Sequence, residues 1–231
     1  MHIPDGFIDA PTSIAAGAAS AGGLAVSLRR SGEVLEDKLA PMAGLVAAFI
    51  FAVQMLNFPV AGGTSGHLLG GALAAVLVGP WVGSLCVSVV LVVQALLFAD
   101  GGLSALGLNV LNMAIVGAFA GYGIFVLLRH VLPSTRVGVS VASGLAALLS
   151  VVLASLAFAG EYAIGGTGGA SVGRVMGAMV GVHLLIGIGE AVITAMTVST
   201  VLAARPDLVY GAGRVVTTTA LPANAPATVG G

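Results

Sequence analysis

The chain has 231 residues, of which 58% are hydrophobic and only 7% charged, with a mean hydropathy of +1.12. An ordinary soluble domain carries about 25% charged residues, so this composition points to a lipid-embedded chain. A net charge of −1 with no basic run excludes a nucleic-acid-binding surface, and a single cysteine excludes an internal disulfide. Thirty-five glycines without a three-residue period exclude collagen and suit membrane helices whose backbones approach closely. No Gly-x-x-x-x-Gly-Lys-Ser/Thr loop and no His-Glu-x-x-His pair is present, so any ATP-driven step needs a partner and no catalytic set is visible.

In chain order, residues 1–11 form a polar-apolar leader without a basic n-region, which is expected to stay on the protein rather than act as a signal peptide. Apolar runs follow at 12–28, 41–59, 66–80, 84–99, 107–128, 138–159 and 173–203. Crossing the hydrocarbon core takes about 20 residues of helix, so an all-α polytopic membrane bundle of seven transmembrane helices over 12–203 is predicted. The third and fourth runs are separate spans, because 66–99 is too long for one crossing and Gly79-Pro80 marks a turn. Residues 204–231, rich in Pro, Ala, Thr and Gly, read as a disordered tail. With seven spans and the N-terminus outside, Arg29, Arg30, Lys38, Arg129, Arg136, Arg205 and Arg214 all fall on the cytoplasmic side with the C-terminus, leaving only Arg174 outside. The same arrangement places Asp5, Asp9, Asp100 and Glu161 outside, where they suit an incoming cation.

Chemistry-bearing residues are few. The histidines are His2, His67, His130 and His183. Met1 and His2 together offer an α-amine, an amide nitrogen and an imidazole, which close a five- and a six-membered chelate ring around one metal. One further imidazole would complete a planar nitrogen set, and His67, at the outer start of the third span, is on the same side of the membrane. That geometry suits Ni(II) or Cu(II), Co(II) less naturally, while Zn(II) prefers a tetrahedron. Alternatively, the glycine-rich segment before His67 makes a re-entrant turn in which His67 only caps carbonyls.

Asp5 and Gly6 after Pro4 suit a turn that tucks the N-terminus into the bundle. Ser65, Asn109 and Asn112 lie near outer helix ends and are candidates to orient ligand nitrogens or the leader, with interhelical hydrogen bonding as the alternative for the asparagines. His183 and Glu190 are seven apart on one helical face and form a candidate polar pair at membrane depth, either a second metal site or proton relay, or a structural contact. Gly117/Gly121 and Gly173/Gly177/Gly181 repeat every four residues, as do Ala15/Ala19, and are expected to mark close helix contacts within the chain.

Several longer motifs carry a family resemblance. They are Met1-His2-Ile3-Pro4-Asp5-Gly6-Phe7-Ile8, the stretch from Gln54 through His67 to Gly71, Gln94 to Gly102, Gly107 to Met113, and His183 to Ala191. In this order they make the chain, over about residues 1–203, similar to the CbiM/NikM family, the substrate-binding membrane (S) components of cobalt and nickel energy-coupling-factor importers. The resemblance implies no enzymatic activity, no permanently bound cofactor, and Ni(II) or Co(II) as the transported ligand. It implies metal ligation by Met1, His2 and His67, which match the family pattern without departure. It also implies a membrane T-component, two ATPase subunits and a small accessory membrane subunit as partners in a prokaryotic plasma membrane. Small-residue faces on early helices dock the T-component in such systems, which makes Ala15, Ala19 and Ala25 candidates here. The planar nitrogen set leans toward nickel, and sequence leaves nickel against cobalt open. A membrane scaffold without an ion site of its own is the competing reading.

Overall fold

A computed structural model describes residues 1–34, 39–60 and 64–213; Lys38, Arg214 and most of the expected tail lie outside them. The architecture is an all-α polytopic membrane bundle. Helix α1 spans Ala10–Val34 and opens on a polar cap: the Thr12 N–H donates to Asp9 Oδ1 at 2.9 Å. Pro11, in the first turn, needs no intrahelical acceptor. Helix α2 spans Leu39–Gln54 and leads into a two-residue antiparallel pair, β1 (Phe58–Pro59) with β2 (Ser65–Gly66). Helix α3 covers only Gly71–Val78, and α4 follows directly over Pro80–Leu97. The chain reverses between them at Gly79, whose φ of +86° suits glycine, while Pro80 sits at the helix start where its missing N–H costs nothing.

A continuous 26-residue helix over Leu106–Val131 comes next. It consists of α5 (Leu106–Asn109), a π-helical stretch at Val110–Val116 and α6 (Gly117–Val131). Helices α7 (Arg136–Gly165) and α8 (Val172–Ala204) pack as a long antiparallel hairpin. Thr135 caps α7 by accepting the Gly138 N–H at 3.1 Å.

Among the described residues, four helices are long and apolar enough to cross a bilayer: α4, the 106–131 helix, α7 and α8. The predicted third span at 66–80 is helical only in its second half. Its helical part has 8 residues, about 12 Å at 1.5 Å per residue, against about 30 Å of hydrocarbon. The preceding residues run extended along α8. The Thr64 hydroxyl lies 3.9 Å from the Met179 sulfur, Gly66 packs on Val182 and Ile186, and the Leu69 and Gly70 N–H groups reach Glu190. Non-helical backbone at such a depth persists only where protein satisfies it. Here Gln54 Nε2 donates to the Leu69 carbonyl at 2.7 Å from one side, and Glu190 accepts from the other.

The glycine repeats divide. Gly117 abuts Gly71 and Gly121 abuts Ala72, so α3 sits directly on α6. Gly173, Gly177 and Gly181 have no heavy atom within 4 Å of an ideal Cβ, and Ala15 and Ala19 are exposed, so the expected intrachain contacts are absent at these positions. The start of the expected tail is also corrected: Pro206–Leu208 and Tyr210–Ala212 form short 3-10 turns, with Val209 and Ala212 buried and the Tyr210 ring tilted against that of Tyr122. Apolar burial at Val209 and Ala212 outweighs a disorder-prone composition there.

Candidate metal site at the buried N-terminus

The leader enters the bundle. Met1 is 1% exposed, His2 3% and Ile3 0%. A type II-like turn starts the burial, with the Phe7 N–H donating to the Pro4 carbonyl at 3.4 Å and Gly6 at φ +73°. Asp5 Oδ1 accepts from the Ser104 N–H at 2.8 Å and the Ser104 hydroxyl at 2.6 Å, and these bonds hold its carboxyl below the usual range. Ile3 is gripped through its backbone. Its N–H donates to Asn109 Oδ1 at 2.8 Å, and its carbonyl accepts from Asn109 Nδ2 at 3.3 Å and the Gly102 N–H at 2.8 Å. Further on, the Phe7 carbonyl accepts from the Thr167 N–H, the Asp9 N–H donates to the Gly165 carbonyl, and the Phe7 ring meets Tyr162 at 5.1 Å between centroids. The leader is therefore a strap fixed to the 98–105 loop, to the 106–131 helix and to the α7–α8 connection.

The strap sets the His2 imidazole against that of His67, with centroids 4.6 Å apart and planes inclined by 35°. His67 Nδ1 lies 2.7 Å from the Leu68 carbonyl, which makes it the protonated nitrogen and leaves Nε2 as a buried lone pair without a partner. His2 Nε2 faces Asp100 Oδ2 at 3.5 Å. That is within ion-pair distance, but the imidazole stays neutral: burial first, and then the neighbouring amine, push its pKa far down. No hydrogen bond joins the two, so Nε2 is a buried ring nitrogen without a partner among the described residues, and Nδ1 is the ring nitrogen nearer the main chain. Burial also pushes the Met1 amine down to about 4, against the opposing pull of Asp100 and Glu190. Amine and imidazole are both unprotonated at neutral pH, as coordination requires. Among the described residues there is no group of three or more His, Cys, Asp and Glu side chains suited to a metal. A cleft lined by His2, Asp5, Ser65, Asp100 and Gly101 opens here.

The other predicted residues are placed as follows. Asn109 holds the leader, as does Asp5 through Ser104. Ser65 lines the cleft, its buried hydroxyl unpartnered. Asn112 Nδ2 donates to Glu161 Oε2 at 2.7 Å, an interhelical bond. Glu161 accordingly belongs to α7 rather than to an exposed acidic face. His183 and Glu190 are both buried on α8 but are not a pair: His183 Nδ1 bonds the Met179 carbonyl at 2.8 Å, and Glu190 takes the Leu69 and Gly70 N–H groups at 2.6 and 2.9 Å. Ala15, Ala19 and Ala25 lie exposed on α1, away from the site. Sequence reasoning missed two contributors. Asp100 was read only as surface charge. Gly101, at φ +90°, brings the backbone so close that a Cβ would come within 2.8 Å of His2 Nδ1.

Comparison with known proteins decides the lineage. Residues 2–208 match the CbiM family, described as the cobalt uptake substrate-specific transmembrane region. The chain belongs to the CbiM family. A CbiM-family relative from Haloquadratum walsbyi, named as a metal transport protein, is 40% identical over 210 residues, covering 91% of this chain and 94% of its own. A protein of Archaeoglobus fulgidus named as a fused nickel transport protein is 43% identical over 210 residues, covering 90% of this chain and 68% of its own. A crystal structure of a truncated transition metal transporter superposes with a TM-score of 0.83 at 33% identity, covering 88% of this chain and 99% of the other. This is a CbiM/NikM-family transmembrane metal transport protein, related to the S-components of energy-coupling-factor transporters. It is a multi-pass membrane protein of a transporter family and not an enzyme.

Proposed function

We propose that the chain is the substrate-capture component of an ATP-driven, energy-coupling-factor-type importer for Ni(II) or Co(II). The ion is held by the Met1 amine, the deprotonated His2 main-chain nitrogen, His2 Nδ1 and His67 Nε2. One observation carries the reading: a terminal amine and two neutral imidazoles are buried together, the rings 4.6 Å apart. Burying polar nitrogens without partners is costly unless something is bound to them. Four nitrogens in a near-planar set favour Ni(II) over Co(II).

The chain crosses the membrane seven times with its N-terminus outside, the third crossing being made of the extended residues 64–70 and α3. That extended stretch supplies about 20 Å and α3 about 12 Å, together enough for the hydrocarbon core. The placement of Arg29, Arg30, Arg129, Arg136 and Arg205 supports this orientation. Residues 1–11 cap the site, and the cleft beside Asp5 and Asp100 is the ion's approach. A T-component, two ATPases and a small accessory subunit complete the importer, the T-component docking on the exposed α1 face at Ala15, Ala19 and Ala25.

Titrating Ni(II) and Co(II) into the detergent-solubilised native chain and into His2→Ala and His67→Ala tests the capture site. One ion per native chain, with affinity falling at least about a hundredfold in each variant, is expected. Undiminished binding in both variants refutes it.

A further inference from the structure

Beyond the capture site, α8 carries a buried polar line along the extended segment that presents His67. Gly66 packs on Val182 and Ile186, and Leu69 and Gly70 hang on Glu190, so His67 is level with the turn of α8 that begins at His183. His183 is 0% exposed. Its Nδ1–H donates to the Met179 carbonyl at 2.8 Å, which fixes the tautomer and leaves Nε2 as a lone pair. Among the described residues that Nε2 has no partner, and neither has His67 Nε2, nor Thr194 Oγ1 further along the same α8 face. Buried side-chain polar atoms are normally satisfied, and two unsatisfied imidazole nitrogens on segments packed against each other are donors of the kind a borderline divalent ion takes. Both Glu190 oxygens already accept main-chain N–H bonds, which hold the carboxylate against the segment that presents His67. That carboxylate offsets positive charge entering this apolar region.

We infer that His183 Nε2 is a second coordination point for the transported ion, which receives it from the Met1–His2 chelate while His67 remains bound. This inference rests on the capture reading above. In the step, one metal–nitrogen bond forms at His183, those to Met1 and His2 break, and the His2 amide nitrogen takes back a proton from a water molecule whose hydroxide stays on the ion; no electron moves. A borderline nitrogen ligand is thus available on α8, and the strap can release without leaving a bare ion in the bundle.

The test uses the full chain with its native N-terminus, alone and co-expressed with its transporter partners, comparing native, His183→Ala and His183→Asn proteins. Thermal unfolding of the purified variants separates misfolding from a specific effect, and His183→Asn, which keeps a polar group, serves if the alanine variant does not fold. The expected result is Ni(II) or Co(II) capture within about threefold of native, with radioactive ion uptake lowered about tenfold or more. In a chain with one glycine added before Met1, Co(II) is expected to bind weakly with a visible spectrum that disappears on adding His183→Ala. Unchanged uptake in a folded His183 variant overturns the inference while leaving the capture site standing. Loss of capture itself in a folded variant also overturns it, by making His183 part of the first site. Absence of metal binding by the native chain overturns both.

Discussion

Ile3 carries more of the site's geometry than its apolar side chain suggests, because its N–H and carbonyl both bond Asn109 and thereby fix where Met1 and His2 end up. Removing that side chain by Asn109→Ala deletes two buried hydrogen bonds, about 1–2 kcal/mol, so metal affinity is expected to fall about tenfold with helix content unchanged. Titration with circular dichroism checks this, and an unaltered affinity would show that the strap holds without Asn109. Gly101→Ala is expected to be harsher. The residue sits at φ +90° and its Cβ would press on His2 Nδ1, so the chelate is displaced and stoichiometric binding is lost while the bundle stays folded. Asn109 was visible in the sequence as a polar residue near a helix end. Asp100 and Gly101 were not, because their roles depend on a loop conformation that only the packed strap creates.

Among the elements, α3 is the one that hydropathy misrepresents. All eight of its residues are buried, so the segment reads as apolar as a lipid-crossing helix, while its length falls far short of one. An apolar run records burial, and burial by protein and burial by lipid look alike in composition. The glycine repeats carry the same lesson: four-residue spacing at Gly117/Gly121 meets α3, and identical spacing at Gly173/Gly177/Gly181 meets nothing among the described residues, because spacing gives a face and not the neighbour on it. The consequence is testable by thermal unfolding in detergent. Gly71→Ala places a Cβ 2.6 Å from the Gly117 carbonyl carbon, backbone that cannot yield, and is expected to cost about 1–3 kcal/mol. Gly177→Ala meets open space on a helix and is expected to be neutral or stabilising by up to about 1 kcal/mol. A stable Gly71→Ala protein would mean that α3 and α6 can separate.

For the whole molecule, family and membrane character were legible because long motifs and composition survive without any knowledge of packing. The path of residues 64–70 was not, because it is written in the pairing of Gln54 and Glu190 with backbone far away in sequence. Orientation is checked in a Cys86→Ser background: Ser134→Cys is expected to react with an impermeant thiol reagent only in opened cells, and Ser104→Cys in intact ones. The reverse pattern would invert the proposed topology and put the strap on the wrong side for uptake. The central claim, that a terminal amine holds the ion, is tested most directly by comparing Ni(II) binding and its visible spectrum in the chain with its native N-terminus and in the same chain with one glycine added before Met1. The account predicts one tightly bound, square-planar Ni(II) per native chain and loss of that species in the extended one. The same spectrum and affinity in both would contradict it.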